Sequence, residues 1–140
     1  MDILTIERDF LGWIAEKLSL ERDKTVFRGG IPEGINNAVG VVFGSEIASS
    51  GFYGFRPRTW NVQLLAKFDS RDAAMIFQSC VNGLFPQPGF TFNSTSFRTI
   101  TMRGDSEVFG STDNGAEITC VTVNLLAVVL TTGAQVKTSQ

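Results

Sequence analysis

Apolar side chains recur at every second position along Trp60, Val62, Leu64, Ala66 and Phe68, with Asn61, Gln63 and Lys67 between them. That is the period of a strand with one face packed and one wet. After Asp69-Ser70-Arg71-Asp72 the spacing changes to Ile76, Phe77, Cys80, Val81 and Leu84, a stripe at helical period. Asp69 or Ser70 can accept a hydrogen bond from the orphan amides of a first helical turn, and Gly83, Pro86 and Pro88 predict that the helix stops near residue 85. A second helical stripe, Ile3, Ile6, Phe10, Ile14 and Leu18, predicts an amphipathic helix over residues 2–19, with Asp2 as its cap and Glu7, Arg8, Glu16 and Lys17 turned to solvent.

Elsewhere the pattern is β-like. KTVFRGG predicts a short strand, and NAVGVVFGSE a longer one with Val39, Val41 and Phe43 on one face and Ala38, Gly40 and Val42 on the other. Both faces of the latter are apolar or small, which predicts a helix on one side and a partner subunit on the other. PQPGFTFNST reads as a loop, SFRTITMRG as a strand and SEVFGS as an extended piece. Asp113-Asn114-Gly115 reads as a turn. AEITCVTVNLLAVVL is the longest strand candidate; its apolar residues are nearly continuous over 121–130, so both its faces need cover. The expected fold class is α+β, with an antiparallel or mixed sheet of about four to five strands and two helices packed mainly on one face. Residues 1–130 form the single domain, and 131–140 a polar C-terminal tail.

The chain has 140 residues, of which 43% are hydrophobic and 19% charged, enough for one sizeable core and too few for a second domain. A formal net charge of -2 argues against a dedicated nucleic-acid binder. The chain contains no histidine, which removes the usual general base, the usual partner of a Ser or Cys nucleophile and the commonest metal ligand. Cys80 and Cys120 stand far apart on apolar stripes, so both are expected to be reduced and buried. Asp69 and Asp72 suit capping, Asp105 and Glu107 a turn, and FRGGIPEG lacks the lysine and helix of a phosphate loop. These observations predict a protein that is not an enzyme, with no catalytic, cofactor-binding or metal-binding residues. Charges within the first ten residues, and the lack of an apolar run of membrane-spanning length, predict a soluble intracellular chain.

One stretch carries recognition chemistry. Residues 45–58, SEIASSGFYGFRPR, read as a long loop in which Phe52, Tyr53 and Phe55 are larger and more apolar than solvation requires. Arg56 and Arg58 add donors suited to bidentate contact with carboxylates. These five residues are the candidate interface; a mobile connection whose aromatics fold back on the core is the competing reading.

The N-terminal helix, the central RPRTWNVQLLAKFDSRDAAMIFQSCVNGLF and the final SFRTITMRGDSEVFGSTDNGAEITCVTVNLLAV together resemble the tail terminator and minor capsid proteins of tailed bacteriophages, over residues 2–129. The resemblance implies a virion protein that forms a ring, usually hexameric, at the head-proximal end of the tail, ends tail-tube polymerisation and joins the tail to the neck of the capsid. The implied partners are further copies of the chain, the tail tube protein and the neck or head-completion proteins. DNA would pass through the lumen without specific binding. The resemblance implies no cofactor and no membrane, and assembly in the host cytoplasm. Two alternatives stay open: a head-completion or stopper connector of the same neck, and a small ligand-binding α+β domain with Trp60 or Phe55 lining a pocket.

Overall fold

The computed structural model describes residues 3–20, 24–47, 55–113 and 115–132. Among them the order is α1 (Ile3–Lys17), β1 (Val26–Arg28), β2 (Ala38–Ile47), β3 (Phe55–Phe68), α2 (Arg71–Leu84), β4 (Phe90–Phe92), β5 (Thr95–Met102), β6 (Glu107–Asp113) and β7 (Ala116–Thr132). Asp2 and residues 133–140, expected as a cap and as part of the tail, lie outside the described residues; Thr131 and Thr132 belong to β7.

The strands form one mixed seven-stranded sheet in the order β1-β2-β3-β7-β5-β4, with β6 also on β7. β1 runs parallel to β2 and every other pair is antiparallel. The α+β class therefore holds, but four to five strands is too few. β4 accounts for part of the shortfall, because it lies inside the stretch read as a loop. Phe92 pairs with Thr95 across Asn93-Ser94, and Asn93 takes φ 52, the left-handed conformation a two-residue hairpin turn requires. At the predicted turn Asp113 pairs with Ala116, and Gly115 sits at φ 80. Asn114 is not among the described residues.

β7 is the spine of the sheet. Along residues 119–132 one side pairs with β3, while its other side is shared between β6 and β5. The register places Trp60, Val62, Leu64 and Ala66 of β3 beside Ala127, Leu125, Val123 and Val121 of β7, and all eight are buried. Both helices pack on that face: Ile6, Phe10, Leu11, Trp13 and Ile14 of α1 and Ala74, Phe77 and Val81 of α2 join one core with the strands. α1 touches β1 at one margin of the sheet and β4 and β5 at the other, so the sheet curls around it.

Aromatic packing seats α1. Phe10 meets Phe43 and Phe97 edge-on at 5.4 and 6.0 Å between ring centres, and Trp13 stacks on Phe90 at 4.7 Å. Gly12 lets the helix approach β4, since a Cβ there would stand 3.1 Å from the Phe92 ring. On the same helix the carboxylate of Asp9, fully buried, accepts from the Thr95 hydroxyl at 2.6 Å and the Ser94 hydroxyl at 3.3 Å. It ties the helix to the β4–β5 turn.

The second face of β2 is covered in part by the chain itself. A Cβ on Gly40 would stand 2.6 Å from the carbonyl oxygen of Gly29, so residues 29–31 of the same chain close this face at Gly40, while Val42 two residues on stays half-buried. Gly29 donates to the Val41 carbonyl at 2.8 Å and adopts φ 80, a conformation glycine takes without strain.

The strand-to-helix unit appears as the pattern predicts, and the cap resolves to Ser70. Its hydroxyl accepts from the Ala73 amide at 3.3 Å, whereas Asp69 uses its own amide to donate to Asn37. Ser70→Ala is therefore expected to cost about 1 kcal/mol and Asp69→Ala much less, measured by urea titration of each variant. Equal losses would move the cap.

Candidate interaction surface

Among the described residues both helices lie on one face of the sheet and no helix packs on the opposite face. By the register its cross-strand rows are Val42, Gln63 and Asn124, then Asn61, Leu126 and Thr101, then Ile47, Thr59, Val128 and Thr99. An antiparallel sheet with one wet face alternates apolar inward and polar outward. Here Val42, Leu65, Leu126 and Val128 are half-buried, and Ile47 and Leu130 are each 38% exposed on the outer side. The nearly continuous apolar run of residues 121–130 was the signal for this. Its odd positions fill the core and its even positions meet no helix.

A polar patch lies among these apolar rows. Gln63 Nε2 donates to Asn124 Oδ1 at 3.4 Å, Arg103 Nη1 donates to Asn61 Oδ1, and the Arg103 amide donates to the Asn124 carbonyl at 2.7 Å. With Val42, Gly44 and Gly104 these residues line an open depression of about 660 Å³ that has a guanidinium in its wall and no carboxylate. Such a wall suits an acidic or amide-bearing partner segment.

A second exposed surface follows α2. Ile76, Phe77, Cys80 and Leu84, together with Leu18 and Leu20 beyond α1 and Phe68 of β3, line a groove of about 570 Å³. Ile76 is 65% and Met75 44% exposed. Cys80 is exposed too, which corrects the expectation that both thiols are buried; Cys120 is buried as expected. The physical reason is the width of the contact. α2 turns only Ala74, Phe77 and Val81 onto the sheet, so Ile76 and Cys80 fall beside that line. One thiol per chain is expected to react quickly with a maleimide or disulfide reagent and the second only after denaturation. Two fast thiols would mean that Cys120 is misplaced, and none would mean that Cys80 is.

The five interface candidates separate. Phe52 and Tyr53 lie outside the described residues, and the stretch read as a loop is shorter than 45–58, because β2 runs on to Ile47 and β3 starts at Phe55. Phe55 and Arg56 open β3 opposite Thr132 and Thr131 of β7; their side chains are not described. Arg58 grips Glu46 in a two-bond fork, Nε to Oε2 at 3.1 Å and Nη2 to Oε1 at 2.9 Å, and lies over the Trp60 ring at 4.6 Å. The Arg58 hydrogen bonds hold the Glu46 carboxyl below the usual carboxylate range against the opposing effect of burial. A bidentate carboxylate contact is thus made within the chain, on the hairpin of β2 and β3. Trp60 is buried in the core, beneath Arg58.

No protein-family model and no curated protein sequence matches the chain. Among solved structures, a chain in the virion of a native gene transfer agent particle is similar at 10% identity over 84% of each chain, with a TM-score of 0.48. Among the described residues no helix is long and apolar enough to cross a membrane.

Proposed function

We propose that this chain is a structural, non-catalytic virion subunit that works by associating with copies of itself. In this reading a ring, hexameric in the family it resembles, sits at the head-proximal end of a phage tail, ends tube polymerisation and meets the neck proteins. The observation that carries the self-association is the second face of the sheet. Apolar side chains line it at Val42, Leu65, Leu126, Val128 and Leu130, and no helix among the described residues packs there. A face of this kind, on a rigid curled sheet, can hold neighbours at one repeated rotation, which is what closure of a ring requires. The virion setting comes from the resemblance of residues 2–129, and the net charge of -2 suits a lumen that lets DNA slide.

Native mass measurement and electron microscopy of the purified chain, alone and with tail tubes, test the proposal. Closed rings that cap tubes are the expected result. Rings that ignore tubes and bind portal complexes would move the protein to the stopper class, and a chain that stays monomeric at about 100 μM, well above the Kd of a stable assembly, would end the assembly reading.

A further inference from the structure

We propose that the bare sheet face is the seat of α2 from a second copy, with Asp72 of one subunit set against Arg103 of the next. The inference rests on the self-association proposed above and names the surface that meets the sheet. A sheet with helices on one side and apolar rows on the other lacks one layer of a three-layer packing. α2 is an exposed helix of the same chain that carries unsatisfied apolar surface, chiefly Ile76, so a neighbouring copy can supply the layer.

Charge and spacing select this pairing. The first turn of α2 presents Asp72, with Asp69 just before it and Arg71 between them, all exposed. The sheet face offers Arg103 at the depression and Lys67 nearer its far end, against Glu107 on β6. On α2 the step from Asp72 to Ile76 is one turn, about 6 Å. On the sheet the step from Asn124, which holds the Arg103 amide, to Leu126 is about 7 Å along β7. An acid followed by an apolar residue on the helix therefore meets a cation followed by an apolar residue on the sheet. The two surfaces lie on opposite sides of the molecule, so the contact is head-to-tail and builds a ring or a filament, whereas an isologous pair would use one surface twice.

A charge swap tests it. Sedimentation or native mass measurement is made on the parent, Asp72→Arg, Arg103→Asp and the double variant, with circular dichroism as the check on folding. Each single reversal is expected to weaken association about tenfold or more, and the double variant to recover most of that loss. Ile76→Glu, at a position already exposed, should leave the fold intact and abolish the contact. If the parent assembles and the single variants assemble equally well, or the double variant shows no recovery, this pairing is overturned while self-association stands. A monomeric parent would remove both.

Discussion

Phe10→Ala will lower the stability of the domain by about 3–5 kcal/mol, the range for emptying a buried aromatic site that cannot collapse. Phe10 is fully buried and touches Trp13, Phe43 and Phe97, side chains from α1, β2 and β5. Phe43 and Phe97 stand on strands held apart by β3 and β7 between them, so these anchors cannot all move inward to fill the void. α1 is also the element that bridges the two margins of the curl, through β1 on one side and β4 and β5 on the other. Loosening it should destabilise the whole fold and not one edge. Urea unfolding is the measurement: the midpoint should fall with the slope unchanged. Leu4→Ala on the same helix, where the side chain is 59% exposed, should stay within about 0.5 kcal/mol of the parent. A Phe10 variant that loses less than about 1 kcal/mol would show that α1 is not the keystone of the core.

How much of this architecture the sequence discloses depends on the length of each periodic run. α1, the β3–α2 unit and β7 each repeat their period over many residues, and all three occur where the pattern places them. β4 is three residues long and follows PQPG, so its own alternation is too short to outweigh the proline and glycine beside it. Its legible mark was Asn93, a residue that tolerates the left-handed conformation its turn uses. On α2 the apolar stripe is wider than the strip of helix the sheet covers, and periodicity alone does not say which of Ile76, Phe77, Cys80 and Val81 faces inward.

The candidate site is less legible for a related reason. Arg58 and Glu46 stand twelve positions apart across a hairpin whose register shifts between Phe43 and Glu46, and only that shift brings them together. Likewise Asn61 and Gln63 of β3, Asn124 of β7 and Arg103 just beyond β5 share no local motif. What the sequence does carry is the excess of apolar residues over 121–130, more than one buried face can use. The excess identifies a second face that needs cover without naming the residues around it.

Asp9→Ala is expected to cost about 3 kcal/mol, because it deletes a buried charge acceptor and leaves the buried Thr95 hydroxyl without its 2.6 Å bond. The ionised form of Asp9 is the one the fold prefers. Burial pushes its carboxyl up, but hydrogen bonds from Thr95 and Asn93, the nearby Arg8 guanidinium and the Ser94 backbone outweigh it and hold the group below the ordinary aspartate value. The unfolded chain therefore binds a proton more readily than the folded one. The contribution of Asp9 is fully present above the unfolded pKa of about 4 and is lost as the pH falls through the lower, folded value. Asp9→Asn keeps the shape and an acceptor for Thr95 but no titrating group. Near neutral pH it should be less stable than the parent, and the gap should narrow in acid as the parent's own carboxyl becomes protonated. Glu46 is depressed by Arg58 and adds acid sensitivity of the same sign to both proteins, so the comparison isolates Asp9. Urea midpoints of parent and Asp9→Asn between about pH 7 and pH 3 give the answer. Parallel curves across that range would show that the folded state does not favour ionised Asp9, and the tie between α1 and the β4–β5 turn would then rest on neutral hydrogen bonds and aromatic packing.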